Sequence, residues 1–507
     1  MVKKYAELPL YPIFAAIYPV LALLSFNIGQ VKFIAGIRPI FFSVLVALIL
    51  LLLMKFIYRN WHRAAFVSAG LMLLFLTYGH IYDLIFAKWK FTALAAWMLT
   101  LWAVLAVAVL FIGAQRKVKF EAAAFSLNVI ALGLLIYPTI QVIQGPFNNG
   151  GTVAKQPFFK SQNFHVSDSQ IMPDIYYFMP EDYGRADLLQ SKFDIDTSEF
   201  IQSLKDTGFY VAECSQSNYA TSELSLGSSL NMEYLQNLDD SFDPKTTNQR
   251  PVWDSIRYSA VVADLKKAGY KTVAFSTGFA WSELDNSDVY FSPSPLTSGI
   301  TSFESLLLRT TPIRHLQDVG LFNLDEIDGQ QYRERTMLEF NSMDELAKMP
   351  GPKFVFVHII NPHEPFVFDP AGSPIDPAPF INEKRLYTLD KYVLGFQNHV
   401  PFINQMLEKA IQTLITESAT PPIILLQTDT GPLFTQGSDT FKILNAYYMP
   451  EHTDQLYQSI SPVNSFRVVF NTYFGTNYPM LDDISYKSPI PHIYDFTEIP
   501  NAPCGSQ

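Results

Sequence analysis

The amino-terminal part of the chain consists of long apolar stretches separated by short charged segments. Five of these stretches have no Lys, Arg or Glu in their interiors, and they cover residues 9–30, 38–55, 64–86, 91–113 and 122–143. Because hydrocarbon offers a backbone no hydrogen-bond partner, helices of about 20 apolar residues are what cross a bilayer. The pattern therefore predicts a five-helix transmembrane domain over residues 1–143. A cleaved signal peptide would explain the first stretch only.

The basic residues between these stretches predict the orientation of the chain. Of the twelve within residues 1–150, eight fall on the side of the amino terminus and four on the other side. The positive-inside rule places the amino terminus in the cytoplasm, and five crossings then place the rest of the chain outside. His80 and Asp83 form an i, i+3 pair at the outer end of the third stretch. The pair either contacts a lipid headgroup or is solvated at the interface.

Beyond residue 143 the pattern becomes that of a globular domain. Residues 144–172 are polar and rich in Gly and Asn, which predicts a linker. Within 173–507, amphipathic stretches alternate with short β-rich runs at 174–179, 209–212, 271–275, 353–359, 422–427 and 443–449. This alternation predicts an exported α/β domain with a largely parallel central sheet. In such a sheet, ligands bind beyond the carboxyl ends of the strands.

Charge and composition exclude several classes of protein. The first 150 residues hold twelve basic and three acidic residues, whereas the whole chain has a formal charge of −11. The exported part therefore carries about −20, which disfavours binding to nucleic acid. The predicted spans also exclude a soluble cytosolic enzyme. Cys214 and Cys504, the two cysteines, both fall in the exported part, where spacing alone does not establish whether they form a disulfide.

Acidic and hydroxyl side chains follow two of the predicted strands. Glu181 and Asp182 come after the first strand, and Asp429 and Thr430 come after the strand at 422–427. Carboxylates at the tips of neighbouring strands converge without long loops, which is what a hard divalent cation needs. The alternative for each pair alone is an ordinary turn after a strand.

Hydroxyl and imidazole groups add a second kind of chemistry. Thr221 and Ser222 stand at the start of a predicted helix, where unpaired N–H groups stabilise an anion or a developing alkoxide. The alternative is a helix N-cap, which the same residue types favour. His358 lies near the end of the strand at 353–359, and His363 follows that strand. Histidine side chains are suited to contacts with anions. The alternative is a purely structural role, in which both histidines have their hydrogen bonds satisfied near a proline-rich turn.

Taken in order, these segments resemble the alkaline phosphatase superfamily. The resemblance is to its membrane-anchored sulfatase-like branch, which includes lipoteichoic acid synthases and phosphoethanolamine transferases. The matching segments are the strand ending at Glu181, residues 217–222 and 229–231, residues 358–366, Asp429 with Gly431-Pro432, and residues 461–464 and 474–476. The resemblance extends over both the membrane part and the exported part. It implies phosphoryl or phospho-alcohol transfer, or hydrolysis, on envelope lipids or glycans at a bacterial inner or plasma membrane.

The resemblance further implies one divalent metal ion at the strand tips. Its expected ligands are Glu181, Asp182, Ser222, Asp429 and Thr430. The family has a histidine where this chain has Thr430, so the ligands are all oxygen atoms and favour Mg²⁺, Mn²⁺ or Ca²⁺ over Zn²⁺. If the change from histidine to Thr430 has degraded the site, the protein no longer binds the metal. The alternative function is thus a pseudoenzyme that binds or scaffolds envelope components without turnover.

The resemblance also implies which residues are catalytic. Ser222 would be the nucleophile, with Thr221 beside it as the other candidate. His358 and His363 would hold the anionic oxygens of the substrate or protonate a leaving group. The Cys/Ser-x-Pro-x-Arg motif that true sulfatases convert to formylglycine does not begin at Ser222, so that chemistry is not expected. The expected partners are the lipid bilayer and a phosphorylated lipid or envelope glycan.

Overall fold

The protein is described by a computed structural model. The described residues are 8–27, 31–88, 94–115, 117–144, 157–159, 172–293, 300–318, 321, 323–380 and 387–501. The chain forms two compact units, one of Met1–Val153 with Gly299–Asp328 and the other of Ala154–Ser298 with Gly329–Gln507. Most of the predicted linker at 144–172 lies outside the described residues. Cys214 is disulfide-bonded, and the other cysteine, Cys504, also lies outside them.

The first unit contains five long apolar helices in the amino-terminal part. They are α1 (Tyr11–Phe26), α2 (Ile37–Tyr58), α3 (Trp61–Lys88), α4 (Leu94–Ala114) and α5 (Phe120–Gln144). In the described part of the chain, four helices are long and apolar enough to cross a membrane, and these correspond to α2 to α5. Helix α1 is a shorter apolar helix of 16 residues. Five crossings remain a prediction.

Residues Gly299–Asp328, which come from the middle of the exported part of the sequence, pack with the first unit. The described residues of this segment include α11 (Ser302–Arg309) and α12 (Arg314–Asp318). Helix α11 begins with a capping box, in which Thr301 and Glu304 bond to each other's backbone N–H groups. Phe303 of this helix is buried in a cluster with apolar residues of α1 and α5.

The second unit is built on a seven-stranded sheet. Its strands are β1 (Ile175–Pro180), β2 (Tyr210–Val211), β3 (Lys271–Phe275), β4 (Val289–Phe291), β5 (Lys353–Ile359), β6 (Ile423–Gln427) and β7 (Asn445–Tyr448). Their order across the sheet is β2-β7-β6-β1-β5-β3-β4, and β6, β1, β5, β3 and β4 run parallel. Strand β7 is antiparallel to both β6 and β2. A further two-stranded sheet pairs β8 (Ser485–Lys487) with β9 (Thr497–Ile499).

Both faces of the large sheet are buried, which explains why its central strands are apolar at most positions. Tyr177 and Phe356 belong to one core cluster, whereas Phe178 and Val357 belong to the cluster on the opposite face. The helices of this unit are α6 (Ala186–Phe193), α7 (Ser198–Asp206), α8 (Ser222–Ser229), α9 (Arg250–Arg257), α10 (Ala260–Lys267), the part of α13 (Leu324–Asn341) from Gly329 onward, α14 (Met343–Lys348), α15 (Leu389–Glu417) and α16 (Pro462–Tyr473).

The predicted fold class is confirmed. Apolar helices precede an α/β domain whose central sheet is mostly parallel. The six predicted strands are present with ends that differ by at most two residues, and the structure adds β8, β9 and the short edge strand β4, which the sequence pattern does not predict. This strand has only three residues, all partly exposed, so it lacks the apolar run that marks the central strands.

Candidate active site

Parallel pairing of β1 with its neighbours brings two of the candidate groups together. Met179 is paired with His358 of β5, so the residues after β1 lie beside the end of β5. The backbone N–H of Glu181 donates to the carbonyl of Ile359 at 2.8 Å, which extends this pairing past the strand. The Nε2 atom of His358 lies 3.1 Å from Oε2 of Glu181, and both side chains are buried. Because a carboxylate accepts, Nε2 carries the proton in this pair.

Ser222 is the first residue of α8 and contacts the same carboxylate. Its Oγ donates to Oε1 of Glu181 over 3.1 Å. Thr221 is the N-cap residue, with extended backbone, and it makes no side-chain capping bond. Burial and the charge of Glu181 raise the pKa of Asp429, and the hydroxyl of Ser222 opposes this rise, which indicates that the hydroxyl lies near Asp429 as well. Of the two adjacent candidates for the nucleophile, Ser222 is therefore the one whose hydroxyl reaches the acidic groups.

Asp182 and Thr430 form a second pair at the tips of β1 and β6. The hydroxyl of Thr430 donates to Oδ1 of Asp182 at 3.1 Å, and the backbone N–H of Asp182 donates to Oδ1 of Asp429 at 3.2 Å. Asp182 has φ of 60°, in the left-handed region that residues other than glycine rarely adopt. The other carboxylate oxygen of Asp429, Oδ2, is buried and has no hydrogen-bond partner among the described residues.

His363 stands in the loop after β5, close to these acids. Its Nδ1 donates to the carbonyl of Glu364 at 2.6 Å. Burial alone would lower the pKa of His363, but the charges of Asp182, Glu181 and Glu364 raise it to about 9. At neutral pH the imidazole is therefore protonated and cationic.

The carboxylates of the site differ in their affinity for protons. Burial would raise the pKa of Glu181, but the hydrogen bond from His358 and the charge of His363 outweigh it and lower the pKa. For Asp429, burial and the charge of Glu181 raise the pKa to about 6. Burial raises the pKa of Asp182 well above its usual range, with a further rise from the charges of Asp429 and Glu181. The pKa values of Asp182 and Asp429 thus rise because burial disfavours their charged forms and because the neighbouring carboxylates repel one another.

One histidine that positions the loop was not predicted. His399 of α15 is buried, and its Nε2 accepts hydrogen bonds from the backbone N–H groups of Val367 at 2.7 Å and Phe368 at 3.1 Å. Its Nδ1 donates to the carbonyl of Pro362 at 3.3 Å. Both ends of the loop that carries His363 are thus fixed to one imidazole. A buried polar residue at an i, i+4 position of a long apolar helix face is the signal that could have indicated it.

All eight predicted site residues lie at the same edge of the sheet, but they do not form one cluster of ligands. Among the described residues, no group of three or more His, Cys, Asp or Glu side chains is placed to hold a metal ion. The donors that do converge are the two carboxylates of Glu181 and Asp429 with the hydroxyl of Ser222. The partnerless Oδ2 of Asp429 and the repulsion between the buried carboxylates fit an oxygen-binding cation whose other ligands are water or substrate oxygens.

Many solved structures are similar to this chain, including the following three. The C-terminal periplasmic domain of EcEptC from Escherichia coli is 12% identical, with 62% of this chain and 85% of that chain covered and a TM-score of 0.40. The lipooligosaccharide phosphoethanolamine transferase EptA from Neisseria meningitidis is 12% identical, with 92% and 94% covered and a TM-score of 0.39. The 2-O GAG sulfatase BT1596 is 11% identical, with 65% and 76% covered and a TM-score of 0.37.

These structures are phosphoethanolamine transferases and a sulfatase, the kinds of protein that the sequence motifs resemble. No protein family model matches the chain, and no curated protein matches it. At such low identity and TM-score, the likeness carries no argument about activity. What the site does must follow from the residues of this chain.

Proposed function

We propose that the protein is a membrane-anchored transferase or hydrolase that acts on phosphate esters, with Ser222 as its nucleophile. The observation that carries the proposal is the hydrogen bond from Ser222 Oγ to Glu181 at the amino end of α8. A nucleophilic hydroxyl needs a base within hydrogen-bond reach, and the first-turn N–H groups of a helix stabilise anionic oxygens. The Oγ atom of Ser222 meets both conditions, because it bonds to Glu181 and lies at the amino end of α8.

The neighbouring residues allow both proton transfers of a two-step reaction. In the first step Ser222 Oγ bonds to phosphorus, the bond from phosphorus to the leaving oxygen breaks, and the proton of Ser222 passes to Glu181. The cationic imidazole of His363 gives its proton to the leaving oxygen. In the second step water or an acceptor alcohol attacks the phosphorus and returns a proton to His363. Ser222 Oγ then leaves and regains its proton from Glu181.

The donor set also supports a divalent metal, and Glu181, Ser222 and Asp429 would hold it. Their atoms are all oxygen, which favours Mg²⁺, Mn²⁺ or Ca²⁺ over Zn²⁺. When bound, such an ion would lower the pKa of the serine hydroxyl and neutralise charge on the phosphoryl oxygens. Asp182 and Thr430 bond to each other instead, so their part in metal binding remains a prediction.

The proposed nucleophile is tested with the full-length protein in detergent and a nitrophenyl phosphodiester, with Mg²⁺ or Mn²⁺ added. Ser222→Ala is expected to lower kcat/KM by at least about 10³-fold, as loss of a nucleophile does. Thr221→Ala is the matched control, because it removes the adjacent hydroxyl that does not contact Glu181, and its activity should stay within about tenfold of the wild type. Full activity in Ser222→Ala, with the loss in Thr221→Ala, would overturn the assignment of Ser222.

The second candidate function is a binding protein with a degenerate site. It is favoured by Thr430, whose hydroxyl is engaged by Asp182 where the family has a metal-binding histidine. It is also favoured by the lack of a three-residue ligand group among the described residues. In this case the α/β domain would bind a phosphorylated envelope lipid or glycan through its cationic His363 without cleaving it.

Metal-dependent thermal stability separates the two functions. The active enzyme should show turnover, and Mg²⁺ or Mn²⁺ should raise its melting temperature. The binding protein should show neither effect, whereas its Thr430→His variant should gain a metal-dependent rise in melting temperature. Turnover by the wild type that Ser222→Ala abolishes would exclude the binding protein.

We further propose that the chain resides in a bacterial inner or plasma membrane with its α/β domain outside. The proposal takes the shorter apolar helix α1 as a fifth crossing beside the four helices long enough to span a bilayer, and it is supported by eight basic residues on the side of the amino terminus. Green fluorescent protein fused after residue 507 should not fluoresce when exported through the general secretion route. A fusion after residue 115, in the loop between α4 and α5, should be fluorescent. The opposite pattern would reverse the orientation.

A further inference from the structure

The segment 299–328 contacts the apolar helices through both polar and apolar groups. The backbone N–H of Gly79 in α3 donates to the carbonyl of Thr310 at 2.7 Å. Arg314 forms an ion pair with Asp83 at 2.9 Å and lies over the ring of Tyr82, 4.6 Å from its centroid. The hydroxyl of Tyr78 and Nε2 of His315 are 2.7 Å apart, and Arg38 pairs with Glu304.

All these contacts are made at one end of the helix bundle. Phe303 packs with Val20, Leu23 and Leu24, near the carboxyl end of α1, and with Val142, near the carboxyl end of α5. Arg38 is the second residue of α2, and Tyr78, Gly79 and Asp83 lie in the carboxyl-terminal half of α3. Since consecutive helices run in opposite directions, these positions share one end. It is also the end from which α5 leads toward the α/β domain.

The length of α3 places this contact at the boundary of the hydrocarbon. Trp61 begins the helix, is 47% exposed and lies next to basic residues, as an aromatic residue at a membrane interface does. Gly79 is 18 residues further along, which corresponds to about 27 Å of helix. The hydrocarbon core is about 30 Å thick. The Gly79–Thr310 contact therefore lies close to the opposite boundary, and Asp83 lies about one turn beyond it, among the headgroups.

At this depth the segment exposes large apolar side chains. Leu306 is 37% exposed, Leu316 is 40% exposed and Leu321 is 75% exposed. The arginines nearby are engaged by carboxylates, Arg314 by Asp83 and Arg309 by Asp328 at 3.1 Å. The surface that this segment offers to a binding partner is therefore mainly apolar and not charged. A phospholipid leaflet is the apolar phase that continues from the sides of the helices at this boundary.

We propose that residues 300–318 together with Leu321 form an interfacial membrane-binding element, with Leu306, Leu316 and Leu321 inserted among the acyl chains of the outer leaflet. Its partner is the phospholipid bilayer. The element would attach the chain to the membrane at a point far along the sequence from the helices α1 to α5. Because the chain passes between the two units at residues 153, 298 and 328, the α/β domain would be joined to the membrane part by three connections.

Spin labels on the full-length protein in phospholipid nanodiscs test the insertion. Leu306→Cys, Leu316→Cys and Leu321→Cys are labelled without reductant, since the disulfide at Cys214 then does not react. Lys245→Cys, in an exposed loop of the α/β domain, is the control in water. The leucine sites should collide with oxygen several times more, relative to a nickel chelate, than the control does. Collision ratios equal to that of Lys245→Cys, or protection from both reagents, would overturn the proposal, because the surface would then face water or protein.

A pair of glycine variants tests whether the Gly79 contact sets the depth. An added methyl group at Gly79 would lie 2.4 Å from the carbonyl oxygen of Arg309 and 2.6 Å from Cα of Thr310, so backbone must move. Gly133 lies in α5 with no atom within 4 Å of such a group. Gly79→Ala should raise the nickel collision rate of the label at Leu316, and Gly133→Ala should leave it unchanged. An unchanged rate in Gly79→Ala would overturn the placement of the element against α3.

Discussion

Replacement of His399 by leucine should release the loop that carries His363. The imidazole of His399 bonds to the backbone of Pro362, Val367 and Phe368 from the buried face of α15. Leucine has a similar volume but no polar atom. His399→Leu therefore keeps the apolar packing and leaves two N–H groups and one carbonyl of the loop without their partner.

The size of the effect follows from these three groups. Each buried polar group that loses its hydrogen bond costs roughly 1–3 kcal/mol, and the apolar side chain recovers part of the loss. We expect the free energy of opening of the loop to fall by about 4 kcal/mol. Since 1.4 kcal/mol corresponds to a factor of ten, amide hydrogens of the loop should exchange about 10³-fold faster.

The pH dependence gives a second, independent magnitude. Burial lowers the pKa of His399 to about 3, from an ordinary value of 6.5. Below pH 6.5 the unfolded chain takes up a proton at this residue and the folded chain does not, so stability is lost as the pH falls from about 6.5 toward 3. Between pH 7 and pH 5 this loss is about 2 kcal/mol. The leucine variant lacks it, so the stability difference between wild type and variant should shrink by that amount.

Hydrogen exchange by mass spectrometry on peptides covering residues 362–368, with the full-length protein at pH 5 and pH 7, measures both quantities. His452→Leu is the control, because His452 is exposed, and it should change the free energy of opening by less than about 0.5 kcal/mol. Equal exchange rates in wild type and His399→Leu would refute the role of the imidazole. A difference between them that does not vary with pH would refute its neutral state in the fold.

Three other outcomes are expected. Lys353→Met removes the partner of the buried Asp174 and should destabilise the α/β domain by about 3–5 kcal/mol in thermal unfolding, whereas unchanged stability would mean that the pair is solvated. Gly395→Ala would place a methyl group 2.0 Å from the ring of Phe366 and should destabilise by about 1–3 kcal/mol in the same assay, and no shift would show that the ring can move. Ser222→Thr should retain turnover that Ser222→Ala lacks, because threonine keeps the hydroxyl, and equal inactivity of both would argue against nucleophilic attack.

The sequence predicted those features that depend on local patterns. Runs of apolar residues marked the helices α2 to α5, and alternating strand and helix patterns predicted the parallel sheet. The positions of Glu181 and Asp429 after their strands were enough to place both at one edge, because parallel strands end on the same side. The short strand β4 and the ends of the helices were not predictable in this way.

Contacts between distant residues were decided only by the tertiary structure. The sequence could not distinguish Glu181 from Asp182, because the choice depends on a left-handed backbone at Asp182 and on the partner that each side chain meets across the sheet. It could not identify His399, whose role depends on a loop more than thirty residues earlier in the chain.

The apolar and charged pattern of residues 1–143 determined by itself that this chain carries a set of membrane-capable helices, and the pattern of 173–507 determined that an α/β layer follows. Where Gly299–Asp328 belongs was decided by tertiary packing alone. Its sequence is compatible with either unit, because period and composition report how much surface a segment buries and not against which partner. The ion pair with Asp83 and the close approach to Gly79 are among the contacts that specify that partner.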